Sequence, residues 1–261
     1  MKVIEFQNYW GNNMDFELKS VKNFRDLGNI KTKDNKKIKQ NLLFRSASLD
    51  SLSEDEYLLL KNKCNLQLVI DFRSETSFIN KPDKIFSTRK EHLKVYKYLD
   101  KQRFDYTIKV TPDEFFFNVY KGFTLTEESI EAYSKFFRLI IDQKEGSIIF
   151  HCTSGKDRTG IAAILLLYVL GVDKETIIKE HMKTFNYMYP IFKKELDNID
   201  NPTYFDVDFL YCLYIPKQIY VEFYFKLLDE HYGGIDNYIR NYLKISDEDI
   251  KVLRDRYLEN I

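Results

Sequence analysis

Cysteine is scarce in this sequence: Cys64, Cys152 and Cys212 are the only three among 261 residues. They are too few and too scattered for a disulfide framework or a zinc site. Charge of one sign is lacking too, because 40 Lys and Arg balance 40 Asp and Glu and leave a formal net charge of zero. Such a chain offers no bulk attraction to nucleic acid or to an anionic lipid surface. Only 9 glycines and 5 prolines are present, with no Pro/Gly/Ser-rich linker, internal repeat or low-complexity tract. Nothing marks a boundary, and residues 1–261 read as one domain. The longest apolar run, Ile161 to Leu170, is about half of what a membrane span needs. The opening MKVIEFQNYW has no apolar stretch of signal-peptide length after its single Lys. A cytoplasmic location without stable membrane insertion is therefore expected.

What is present is apolar and aromatic. Hydrophobic residues make up 44% and aromatics 16%, including 19 Tyr and 21 Phe, which is enough for a core and excludes a disordered chain. Leu42–Arg45, Leu66–Arg73, Leu93–Leu99 and Ser147–His151 are strand candidates. LQLVIDF and SIIFH are short, β-branched apolar runs of the kind covered on both faces. Ser53 opens S-E-D-E and predicts a helix through Tyr57–Lys61. Thr126 caps a predicted helix with Ile130, Tyr133, Phe137 and Ile140 at helical spacing. Thr159 to Leu170 reads as a buried helix ended by Gly171, and Asp173 caps the next. Pro216 suits a first turn whose helix Gly233-Gly234 closes, and Ser246 caps a last helix with Ile250, Leu253 and Tyr257 on one face. Strands alternating with helices predict an α/β fold with a helical C-terminal third. The basic run KTKDNKKIKQ at 31–40 reads as a solvated hairpin loop rather than an anion site.

One segment carries chemistry: IIFHCTSGKDRTG at 148–160, an apolar strand leading through a short loop into a buried-type helix. A loop between a strand and a helix N-terminus turns successive backbone N–H groups into one concavity, which favours an anion. Thr153, Ser154, Gly155 and Lys156 line that cradle. Cys152 at its start feels the same positive field, so its thiol ionises near neutral pH. Arg158 offers a planar fork that matches two phosphate oxygens. Gly155 lets the backbone turn tightly under the anion, and the Thr159 hydroxyl is placed to bond the Cys152 sulfur. His151 is not at metal-ligand spacing and is read as orienting the loop. The G-K pair is not a nucleotide-binding loop, since Phe150 and Asp157 stand where that motif needs Gly and Ser/Thr. Cys64 and Cys212 read as buried apolar residues.

HCTSGKDRTG resembles the signature loop of the bacterial cysteine-dependent tyrosine and lipid phosphatases, which include secreted mycobacterial and listerial enzymes. NFRDLGNI at 23–30, LFRSASLDSLSEDE at 43–56 and VIDFRSETS at 69–77 are similar to three further stretches of that family. So is the closing YGGIDNYIRNYLKISDEDIKVLRDRYL. Asn29 stands in place of a family Gly, Phe72 in place of Leu, and Ser154 in place of the usual Ala. The resemblance implies a cysteine-phosphatase-like fold, with a central mixed β-sheet flanked by helices and a helical lid over 183–214. It implies attack of Cys152 on phosphorus, a phosphocysteine held by Arg158 and the loop amides, and release by water without metal or other cofactor. Asp157 and Asp71 are the two candidate general acids. The substrate implied is a phosphotyrosine protein, with phosphoinositides as a second class that Lys156 and Asp157 would favour.

Other residues are open at this stage. Arg25 and Asp26 read as an ion pair, either bracing the loop or idle at the surface. Arg45 and Arg73 sit at strand ends, where sites in α/β sheets gather. The aromatic stretches Phe104–Phe123 and Phe185–Tyr214 read mainly as core. Two competing functions remain: a phosphate reader that binds without turnover, and a sulfur- or arsenate-handling enzyme. The second would work with partner cysteines, for which Cys64 and Cys212 are poor candidates.

Overall fold

The computed structural model describes residues 18–95 and 110–261. Its central sheet has five strands: β1 (Arg25–Asp26), β3 (Leu43–Ser46), β4 (Leu66–Asp71), β5 (Arg89–His92) and β6 (Ser147–His151). They lie in the order β1-β3-β6-β4-β5, parallel throughout except for β1, which runs antiparallel to β3. The sheet is therefore mixed, and helices flank it. The strand period of two divides the core. Leu43, Leu68, Ile70, Ile148 and Phe150 face one apolar layer, while Phe44, Val69 and Ile149 face the other.

The larger layer is built by α3 (Pro112–Leu125), α4 (Glu127–Asp142), α5 (Arg158–Val169) and α9 (Gln218–Tyr232). The smaller is closed by α1 (Glu54–Lys63), which buries Tyr57 and Leu60. Sequence caps sit where they were expected. Ser53, Thr126, Asp173 and Ser246 each accept an N–H of the first turn, opening α1, α4, α6 (Lys174–Met182) and α11 (Asp247–Tyr257). Gly233 ends α9 in the left-handed region, at φ 70°. That helix begins at Gln218, two residues beyond Pro216.

Two stretches depart from the expected elements. The strand expected at Leu93–Leu99 lies instead at Arg89–His92, and its residues 96–99 fall outside the described chain. An edge strand needs no apolar alternation, so RKEH gave no signal, while Leu93 and Val95 are core residues just beyond it. The 31–40 run forms a turn, but β2 (Lys36–Ile38) pairs antiparallel with β7 (Leu258–Asn260) in a separate two-stranded sheet. Residues 183–214 form two helices, α7 (Thr184–Asp197) and α8 (Tyr204–Tyr214). Phe209 of α8 packs on Phe115 and Phe116 of α3. Of the aromatic stretch 104–123, residues 104–109 lie outside the described chain. No described helix is long and apolar enough to cross a membrane.

Candidate active site

The C-terminal ends of the parallel strands β3, β6 and β4 meet at Ser46, His151 and Asp71, which are paired or adjacent in register. The 152–157 loop leaves β6 there and enters α5, the twelve-residue helix whose first nine residues after Arg158 are buried. The loop's carbonyls are tied outward. Thr153 O accepts from the Ser48 amide at 3.1 Å, Ser154 O from Asn23 Nδ2 at 2.9 Å, and Gly155 O from Arg45 Nη2 at 2.8 Å. With three successive carbonyls turned away, the peptide N–H groups between them face the concavity, as an anion cradle requires. Gly155 sits at φ +67°, and a Cβ there would lie 2.3 Å from the Ser46 carbonyl oxygen, so only glycine fits.

Cys152 is 2% exposed at the base of this loop. Burial opposes its ionisation, but the Arg158 charge and the hydroxyl and amide of Thr159 outweigh it, and the thiol's pKa falls below its ordinary value. The Thr159 oxygen is buried and has no oxygen or nitrogen partner, which leaves it to the sulfur. Arg158 arches over the loop, donating through Nη1 to Phe72 O at 3.1 Å and through Nη2 to Thr153 Oγ1 at 3.3 Å. Its own carbonyl accepts from Tyr133 Oη at 3.2 Å.

The two candidate acids differ in their surroundings. Asp157 holds the N-cap position of α5 without capping it. Its Oδ1 instead accepts from Tyr120 Oη at 3.0 Å and pairs with Lys156 Nζ at 3.1 Å. Asp71 is buried, with both oxygens within 3.0 Å of Arg73 Nε and a further bond from the Arg73 amide at 2.8 Å. Lys156 is fully buried. Its ammonium donates to the Cys212 carbonyl at 2.9 Å and lies 5.0 Å from the Phe116 ring centre.

A shell of ion pairs supports the loop. Glu180 of α6 bonds Arg25 Nε at 2.6 Å and Arg45 Nη1 at 2.7 Å, all three being buried. Burial alone would raise the Glu180 carboxyl, yet the two guanidinium groups bring it down to about 2. Arg25 and Asp26 thus do not pair; Asp26 accepts the amides of Gly28 and Asn41. On the other side, His151 Nε2 bonds Asp83 Oδ2 at 2.9 Å, and its Nδ1 meets the Cys152 carbonyl at 3.2 Å. Burial disfavours the imidazolium, but Asp71 and Asp83 prevail and raise the His151 pKa. Donor atoms of Asp71, Asp83 and His151 all lie within 4.8 Å, near enough to share a metal ion. Arg73 already binds both carboxylates, at 2.7 and 2.9 Å, and takes the place a cation would need.

The tyrosine phosphatase family model matches residues 16–259. The chain belongs to the tyrosine phosphatase family. A protein named as a candidate tyrosine-protein phosphatase of Cupriavidus necator is 27% identical over 254 residues, covering 94% of this chain and 88% of its own. A tyrosine-protein phosphatase of Nostoc commune is 43% identical over 56 residues, or 22% of this chain and 19% of its own. The protein is thus a protein-tyrosine phosphatase, a hydrolase whose substrate class is phosphoprotein.

Sequence reasoning did not single out several residues that build the phosphatase's site: Asn23, Ser48, Asp83, Tyr120 and Glu180. Asn23 lies in NFRDLGNI and Ser48 in LFRSASLDSLSEDE, and those two stretches were the available signals. Glu180 and Tyr120 carry none, since an acid and a phenol on helices look like surface and core.

Proposed function

We propose that this phosphatase hydrolyses phosphotyrosine in proteins through a phosphocysteine on Cys152, with Asp157 as the general acid. The observation that carries the reading is a lowered-pKa thiol at the base of a loop whose carbonyls are bound outward. The Cys152 sulfur attacks phosphorus as the P–O bond to the phenol breaks. The departing oxygen takes a proton from Asp157, which stands at the rim of the loop with one oxygen held by Tyr120 and Lys156. The amides of Thr153 to Asp157 and the Arg158 fork hold the equatorial oxygens, and these contacts strengthen as charge develops. In the second step Asp157 takes a proton from water, whose oxygen bonds phosphorus as the P–S bond breaks. The thiolate returns and phosphate leaves.

This chemistry needs no metal or other cofactor. His151, between Asp83 and the Cys152 carbonyl, orients the start of the loop. Lys156 supplies fixed charge from beneath. Its ammonium is committed to Cys212 O and Asp157, so a second phosphate on a phosphoinositide headgroup gains no free partner from it. The reading accordingly favours phosphotyrosine.

The test is turnover on a phosphotyrosine peptide beside a soluble phosphoinositide, with and without vanadate and EDTA. The proposal expects peptide hydrolysis blocked by vanadate, untouched by EDTA, and faster than lipid headgroup hydrolysis. EDTA inhibition reversed by added metal would remove the mechanism, and preferred lipid hydrolysis would reverse the substrate class.

A further inference from the structure

Most of α3 is core. Phe116, Val119, Tyr120 and Phe123 are buried, and the Tyr120 ring lies 5.6 Å from that of Tyr220 and 5.9 Å from that of Phe123. A buried phenol must place its hydroxyl, and most do so on a backbone carbonyl or a remote polar group. Tyr120 instead sends its hydroxyl out of the core to one oxygen of Asp157, 37 residues along the chain. Lys156 reaches the same Oδ1 from the other side. An ammonium group has donors only, so it cannot accept a proton from Oδ1, and the phenol's hydrogen is already directed there. Burial and the Asp157 charge hold the phenol firmly in its protonated form.

We propose that Tyr120 is a positioning residue for proton transfer: with Lys156 it occupies Asp157 Oδ1 and leaves Oδ2 as the oxygen that carries the proton to the leaving group. The inference rests on the reading of Asp157 as the acid. Two donors on one oxygen fix the carboxyl plane and decide which oxygen is protonated, and orientation of this kind sets how well a general acid transfers its proton. The arrangement also explains why the N-cap aspartate of α5 does not cap its helix, since its side chain is held by α3. Lys156 ties this geometry to α8 through the Cys212 carbonyl.

Tyr120→Phe keeps the ring in the core and removes the one hydroxyl. It loses less than about 3-fold in kcat on para-nitrophenyl phosphate, whose leaving group needs little protonation. It loses about 10-fold or more on an alkyl phosphate, a fraction of what a whole general acid supplies. Removing a donor that favours the carboxylate moves the basic limb of its pH–rate profile up by about one unit. A fluorinated tyrosine at position 120 keeps the shape, donates more strongly, and moves the limb the other way. Tyr120→Phe added to Asp157→Asn costs nothing further. Equal losses on both esters with unmoved limbs would reduce Tyr120 to a packing residue and overturn the proposal. If Asp157→Asn itself shows no leaving-group dependence, the reading of the acid fails first, and independently of Tyr120.

Discussion

Asp157 and Asp71 are both carboxylates at strand or helix ends, and their partners separate them. Asp71 spends both oxygens on Arg73, within a buried network that also holds Asp83 and His151. With both of its oxygens on a buried guanidinium, Asp71 offers the loop no free oxygen, and its removal would strand the Arg73 charge. Asp157 has one oxygen held and stands at the rim of the loop. We expect Asp157→Asn to lose about 100-fold or more on an alkyl phosphate, far less on an aryl phosphate with a good leaving group, and its basic limb. Asp71→Asn should instead lower stability and slow both esters alike. Leaving-group dependence in Asp71→Asn and none in Asp157→Asn would exchange the two roles.

Among the elements, α6 matters out of proportion to its nine residues, because Glu180 joins it to β1 through Arg25 and to β3 through Arg45. Arg45 in turn holds the Gly155 carbonyl, so a break at Glu180 reaches the loop in two steps. Removing one partner of a buried pair strands the others, and Glu180→Ala should cost about 3–5 kcal/mol in chemical denaturation, with reduced turnover. The exposed pair of Glu175 and Lys179 on the same helix is the control, and Glu175→Ala should change neither. A Glu180→Ala variant as stable as wild type would show that α6 does not brace the loop. Arg25 as a brace of the loop was one of two readings the sequence allowed, but Glu180, which joins it to Arg45, was not legible there. The 152–158 loop was, because its chemistry is contiguous, and so were the buried strands of LQLVIDF and SIIFH. So were the caps, because each is decided within four residues. Glu180 meets Arg25 across 155 positions, and Asn23 meets Ser154 across 131, where no local pattern points from one to the other. Strand β5 failed for another reason: an edge strand of RKEH carries no apolar period to read.

At the scale of the whole molecule, buried titratable groups couple the fold to pH. His181 is fully buried behind the loop with neither ring nitrogen bonded, and a Cβ on Gly160 would lie 2.6 Å from its ring. Burial and the Arg45 charge lower its pKa to about 3. The unfolded chain takes up this proton near pH 6.5 and the folded one does not, so the stability His181 contributes is complete above 6.5 and lost as pH falls toward 3. Asp26 acts in the opposite sense. Burial raises it to about 6, so its contribution is greatest below its ordinary 3.8 and is lost as pH rises through 6. His181→Leu isolates the first effect. Between pH 6.5 and 5 the wild type should lose on the order of 2 kcal/mol more than the variant in urea unfolding, and equal pH slopes would contradict the assignment. The proposed chemistry turns on the Cys152 sulfur becoming bonded to phosphorus. The direct measurement is acid quenching of the enzyme during turnover of a phosphotyrosine peptide, followed by mass spectrometry of the fragment containing Cys152. One phosphoryl group is expected on Cys152, absent from Cys152→Ser and accumulating in a variant whose second step is slowed. Phosphate on any other residue, or full turnover by Cys152→Ser, would contradict it.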